Sequence, residues 1–161
     1  MRHQSGVLLI EALIGMLIFS VGILALVGLQ AVALKATDDA RYRADASYLA
    51  NALIGQMWAD ANATGAAATP SFAHRPNGNA CASTGTASTN VKVGDATQGW
   101  LQQVATTLPM ATPERQQIQV LTQVSPPPLA QTYYLVTVAL CWVSPQDKLP
   151  HNHIAVAYVH P

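Results

Sequence analysis

Residues 7–34 form an unbroken apolar segment, and this segment constrains the fold of the chain more than any other feature. Its 28 residues contain a single charged side chain, Glu11. About 20 apolar residues are enough for a helix to cross a bilayer. The segment is apolar on every side, which is not the pattern of a surface helix on a globular domain. The sequence therefore predicts a membrane-spanning helix.

Two common kinds of apolar N-terminal segment are alternatives. A secretory signal peptide has a positive start, an apolar stretch of about 7–15 residues and a small-residue cleavage site. Arg2 and residues 31–33 (Ala-Val-Ala) match the two ends, but the apolar stretch is about twice that length and includes a carboxylate. A plain membrane anchor is the second alternative. Charge does not settle its orientation, because Arg2 precedes the span while Lys35, Arg41 and Arg43 follow it.

Glu11 distinguishes this segment from an ordinary anchor. A carboxylate inside a hydrocarbon segment costs about 3 kcal/mol, and such residues usually have a partner and a function. One interpretation is that Glu11 lies near the interface and reaches water. The other comes from its neighbours, since Glu11 is the fifth residue after Gly6. Residues 6–11 (Gly-Val-Leu-Leu-Ile-Glu), after the short polar stretch 1–5, resemble the processing site of type IV prepilins.

The resemblance implies processing and a role for the carboxylate. In that family a membrane-embedded aspartyl peptidase cuts after the glycine and methylates the new N-terminal amine. Cleavage would fall between Gly6 and Val7, and Val7 would become N-methylated, although most members have Phe at that position. Glu11 would form an assembly salt bridge with the amine of its own or a neighbouring subunit. Because an unpaired charge is unfavourable in apolar surroundings, the pair would fix the axial register.

Helix-forming composition continues beyond the apolar segment to about residue 62, with no proline before Pro70. In this second half the large apolar side chains fall on one helix face: Tyr42, Leu49, Leu53, Ile54, Met57 and Trp58. The sequence predicts one helix of about 55 residues, which would be about 80 Å long. Its second half is expected to pack against a globular head.

The rest of the chain is predicted to form a small head. Residues 62–97 are rich in small and polar residues and are expected to be loop. A short helix is predicted at 99–108 and strands at 117–124, 132–143 and 153–159. In the middle strand the expected inward face is formed by Tyr134, Val136, Val138, Leu140 and Trp142. The expected fold class is α+β, a long N-terminal transmembrane helix continuing into a small antiparallel-sheet, pilin-like head.

Later stretches narrow the resemblance to the PilV type of minor pilin, a group of pilus modification proteins. The similar stretches are 22–30 at the end of the apolar segment, 46–51 with Met57 after it, and 95–109 with its Asp, Trp and Leu-Pro. Trp58 stands where that pattern favours arginine, and residues 61–94 have no counterpart. The implied parts are a leader peptide at 1–6, a transmembrane or filament-core helix at 7–34, an amphipathic continuation at 35–62 and a periplasmic head at 63–161.

The function that the resemblance implies is that of a minor pilin in type IV pilus assembly or priming and in twitching motility or adhesion. The expected partners are the prepilin peptidase, other minor pilins, the major pilin and the inner membrane. The expected location is the bacterial inner membrane, crossed once with the head in the periplasm, and then the pilus. A type II secretion pseudopilin, which shares the cleaved leader and the glutamate, is one alternative. A secreted or anchored binding module is another.

Cys81 and Cys141 are the whole cysteine content of the chain. In an oxidising periplasm a disulfide between them is expected. A separation of 60 residues lacks the C-x-x-C spacing of redox and zinc sites. Because Cys141 falls on the less apolar face of its strand, the bond is expected to hold the long loop over the outer side of the sheet.

Catalytic residues, cofactors and metal ligands are not expected. The sequence has no Gly-rich phosphate loop and no nucleophile elbow. Its formal net charge is zero, with no basic stripe, so nucleic acid is not an expected partner. His151-Asn152-His153 is expected to form an exposed polar turn, and Trp100 and Trp142 to lie in the core.

Overall fold

A computed structural model describes residues 5–64, 66–79, 81–82, 96–128 and 131–160 of the chain. The fold is α+β, a long N-terminal apolar helix followed by a small three-stranded antiparallel sheet, which confirms the predicted class. The chain divides into two compact units, Met1–Ala40 and Arg41–Pro161. The long helix contributes residues to both of them.

Helix α1 extends from Ser5 to Thr64. Every side chain described between Leu8 and Asp38 is exposed. The hydroxyls of Ser20 and Thr37 donate to carbonyl oxygens one turn earlier in the same helix, at 2.7 and 2.9 Å. Such bonds satisfy a hydroxyl without a partner outside the helix. By length and composition α1 can cross a membrane, in agreement with the prediction from residues 7–34.

The second half of α1 packs in the head through the predicted face. Leu49, Leu53 and Met57 are fully buried, and the flanking Tyr42, Ile54 and Trp58 pack half-buried against the same core. Ala46, Ala50 and Ala61 are buried with them. Their small side chains let the helix backbone approach its neighbours closely. The predicted amphipathic stripe is therefore confirmed.

The sheet contains β1 (Gln117–Val124), β2 (Thr132–Trp142) and β3 (His151–Val159) in the order β1-β2-β3. Both pairings are antiparallel, and Val138 of the central strand lies between Ile118 and Ala155. A second helix, α2, spans Ala96–Thr107. The three strands and the short helix lie within three residues of their predicted ends.

One face of β2 forms the centre of the core. Its buried residues are those predicted, namely Tyr134, Val136, Val138, Leu140 and Trp142. Trp100 of α2 is also buried, and its Nε1 donates to the carbonyl of Leu49 in α1 at 2.8 Å. The prediction that Trp100 and Trp142 are core residues is confirmed.

Two local expectations are wrong. His151-Asn152-His153 is not a turn, because these residues begin β3 opposite Leu140–Trp142. His151 is held there by its ring stacking on Trp142 and by Asp147, whose Oδ2 is 2.7 Å from His151 Nε2. The expected loop at 62–97 also contains ordered structure, a 3-10 helix at Ala66–Phe72. Such a helix needs only i to i+3 hydrogen bonds and forms in short pieces.

Replacing Leu53 by alanine is expected to destabilise the head by about 3 kcal/mol, because a fully buried leucine leaves a cavity when it is truncated. Tyr48 is the matched control, since it lies on the same helix but is 67 % exposed. Tyr48→Ala should change stability by less than about 0.5 kcal/mol. Thermal unfolding of the detergent-solubilised variants measures both, and equal effects would contradict the packing of α1.

Candidate functional site

The predicted processing site lies at the start of α1. Ser5, Gly6 and Val7 have helical backbone. Their side chains and residues 1–4 are outside the described part of the chain. Cleavage between Gly6 and Val7, and methylation of Val7, therefore stay predictions from the sequence.

Glu11 lies on the exposed surface of α1, four residues after Val7. At 1.5 Å per residue the two positions are about 6 Å apart along the helix axis and share one side of the helix. The side chains around Glu11 are large, apolar and exposed: Leu8, Leu9, Ile10, Leu13 and Ile14. A carboxylate in this setting is surrounded by hydrocarbon as soon as the helix enters a membrane or an apolar assembly.

This arrangement is suited to electrostatic pairing. Cleavage after Gly6 would create an α-amine at Val7, and a free α-amine is cationic near neutral pH. In an apolar medium two opposite charges attract more strongly than in water, because screening is weak. A single buried charge without a partner is strongly unfavourable. Glu11 is therefore suited to bind an amine and thereby to fix the position of one helix against another.

The head is held together at its outer face by the disulfide between Cys81 and Cys141. The two residues are 60 positions apart in sequence, and their Cα atoms are 5.2 Å apart. Cys141 is fully buried although it belongs to the face of β2 that points away from α1. This disulfide is the one predicted from the sequence.

Two glutamines of β1 hold the chain segment that leads to Cys81. Gln119 Nε2 donates to the carbonyl of Pro76 at 2.7 Å. Gln117 Nε2 donates to the carbonyls of Arg75, at 3.2 Å, and Gly78. Residues 75–79 and Cys81 therefore cover one end of the outer face of the sheet, where the loop was predicted to lie.

The described residues give no indication of a metal centre. Within those ranges no group of three or more His, Cys, Asp and Glu side chains could hold an ion. His74 Nε2 lies 2.9 Å from the carbonyl of Pro113, and His151 pairs with Asp147. Both imidazoles therefore make structural contacts in the head.

An apolar surface on the outer face of the sheet was not predicted from the sequence. Ile154, Val156 and Tyr158 of β3 are 52 %, 59 % and 59 % exposed, and Leu121 of β1 is 51 % exposed. Tyr158 also contacts Tyr133 of β2, with ring centroids 5.7 Å apart. The alternation of large apolar side chains at residues 154, 156 and 158 was the pattern that could have predicted this surface.

Comparison of the chain with protein-family models, with curated proteins and with solved structures found no match.

Proposed function

We propose that this chain is a minor subunit of a type IV pilus, similar to the PilV type, made as a precursor and cleaved between Gly6 and Val7. The observation that carries the proposal is the position of Glu11, the one charge of an otherwise apolar stretch, four residues after Val7. A plain anchor or an export signal does not need a carboxylate at this position, where it is unfavourable in hydrocarbon. A subunit whose helix packs among other apolar helices can use the carboxylate to fix its axial position.

The difference between the two halves of α1 supports the same proposal. The apolar first half of α1 suits storage in the inner membrane and later burial among other subunits. The amphipathic second half is built into a small head through Leu49, Leu53 and Met57. In the proposed mechanism the amine of an entering subunit pairs with Glu11 of a neighbour, and the head lies in the periplasm and then on the pilus. The prepilin peptidase, the other minor pilins and the major pilin would be its partners.

A type II secretion pseudopilin would share the processing site and the glutamate. Deletion of the gene separates the two, because a pilus subunit is needed for twitching motility and a pseudopilin for secretion. Loss of secretion with normal motility would assign the chain to the secretion system.

The N-terminus of the mature protein tests the proposal directly. We expect N-terminal sequencing and intact mass to give N-methylated Val7 as the first residue. Gly6→Val should block this processing, because the added β-branched side chain obstructs the backbone at the bond to be cut. Gly15→Val is the matched control in the same helix, where an added Cβ meets nothing within 4 Å. It should be processed normally.

Other N-termini would contradict the proposal. A mature protein that starts at Thr37 or nearby would indicate a secretory signal peptide and a released binding module. A protein that retains Met1 in wild-type cells would indicate a plain anchor.

A further inference from the structure

Strand β3 lies at an edge of the sheet, and no other described strand pairs with its outer side. The strand order makes both β1 and β3 edge strands. The edge of β1 is partly occupied, because His74 exchanges two backbone hydrogen bonds with Ile118, at 3.0 and 2.9 Å. In the described ranges, the backbone of residues 152–159 pairs with β2 and with no other element. Among the described residues, one row of backbone N–H and C=O groups of residues 152–159 therefore has no backbone partner and can accept another strand.

The sequence of β3 lacks the features that normally protect an edge. Natural edge strands carry charged side chains, prolines or bulges that prevent pairing with a further strand. The nine residues of β3, His-Asn-His-Ile-Ala-Val-Ala-Tyr-Val, include no Asp, Glu, Lys, Arg or Pro. Its outward side chains Ile154, Val156 and Tyr158 are more than half exposed. Among the described residues this edge is unpaired, and it carries no acidic, lysine or arginine side chain.

We propose that β3 pairs with β3 of a second copy of this chain, antiparallel, to form one six-stranded sheet across a two-fold axis. The strand is self-complementary in the register centred on Ala155. Ile154 of each copy then faces Val156 of the other, and Asn152 faces Tyr158. The pair of Ile154 with Val156 joins two branched apolar side chains, which is favourable across strands. This register places no like charges opposite each other.

The size of the edge fits a reversible dimer. Residues 152–158, which pair in this register, are about 23 Å long. Their antiparallel pairing forms about seven backbone hydrogen bonds, within the range of about 5 to 15 in a standard interface. The buried area is at the low end for specific interfaces, because a strand edge is narrow. A two-fold contact uses the β3 edge of both copies, so further growth would have to occur at β1, where His74 already pairs with Ile118.

This pairing does not depend on cleavage at Gly6 or on entry into a filament. Cysteine cross-linking of the full chain in lipid vesicles tests it, with Ile154→Cys and Val156→Cys prepared separately and then reconstituted together. No free cysteine competes in the described part of the chain. Directly opposed Cβ atoms are about 5 Å apart and diagonal ones about 7–8 Å apart, beyond the reach of a disulfide. We expect the mixture to give at least about fivefold more cross-linked dimer than either variant alone.

A charge placed on the edge should abolish the pairing. Val156→Lys is expected to reduce cross-linking between Asn152→Cys and Tyr158→Cys by about fivefold or more. Leu121→Lys is the matched control, because Leu121 is similarly exposed on the same face but lies in β1. It should leave cross-linking unchanged. The proposal is overturned if the mixture gives no more dimer than the separate variants, or if Leu121→Lys reduces cross-linking as much as Val156→Lys.

Discussion

Replacing Glu11 by alanine is expected to leave the chain in the inner membrane but to lower its recovery in sheared pili by about a hundredfold or more. In the proposed filament the variant leaves the amine of the neighbouring subunit without a counter-charge in apolar surroundings. Removing one partner of a buried ion pair typically costs about 3–5 kcal/mol. Membrane insertion should improve slightly, since a carboxylate in the span is unfavourable by about 3 kcal/mol.

Quantitative immunoblots of the membrane and sheared-pilus fractions measure the effect of Glu11→Ala. Glu11→Gln should fall between alanine and wild type, because an amide accepts a hydrogen bond from the amine but carries no charge. Ser20→Ala is the control in the same apolar segment, since the Ser20 hydroxyl already bonds to Met16 within the helix. Normal recovery of Glu11→Ala in pili would show that Glu11 is not needed for assembly.

Removing the disulfide with the double substitution Cys81→Ala and Cys141→Ala is expected to destabilise the head by about 4 kcal/mol. The bond closes a loop of 60 residues, and opening it increases the conformational entropy of the unfolded chain. Cys141 is also fully buried in β2, so its sulfur is lost from a packed site. For a head of this size the midpoint of thermal unfolding should fall by about 15 °C.

Tryptophan fluorescence of the detergent-solubilised chain measures this change, because Trp100 and Trp142 are both buried in the head core. A reducing agent should lower the midpoint of the wild-type protein to about that of the double variant. The same reagent should not affect the double variant, which is the internal control. A midpoint shift below about 3 °C would mean that the segment before Cys81 is held by Gln117 and Gln119 without the bond.

Periodic patterns made the secondary structure of this chain predictable. The spacing of Leu49, Leu53 and Met57 identified the packed face of α1, because residues three or four apart share one side of a helix. The alternation in β2 identified its buried face in the same way. The start of β3 was missed, since the two histidines of residues 151–153 have no apolar alternation to mark a strand. Their pairing with β2 and the stacking of His151 on Trp142 are tertiary effects.

The candidate functional residues differ in the same respect. Glu11 is conspicuous in the sequence, because a single carboxylate in an apolar segment is unfavourable wherever the helix lies. The position of β3 at an edge of the sheet could not be predicted from the sequence. Whether a strand is central or at an edge depends on the order of strands in the sheet, which a linear pattern does not contain.

Gln116 is a buried residue whose role could not be predicted from the sequence. It is a polar residue before β1 with no pattern around it, yet it is 1 % exposed. Its Nε2 donates to the carbonyl of Cys141 at 2.9 Å, and its Oε1 accepts from the Cys141 N–H at 2.8 Å. The Gln116 amide is needed there because the buried backbone N–H and C=O of Cys141 in β2 require hydrogen-bond partners.

The sequence by itself determined the apolar helix, its one carboxylate, the faces that pack and the two cysteines available to pair. These features depend on local composition and on helix or strand periodicity. The tertiary structure alone decided that β2 is central, that residues 75–79 cover one end of the outer face, and that β3 lies at an edge of the sheet. Those outcomes depend on contacts between residues far apart in sequence, which become neighbours only when the sheet assembles.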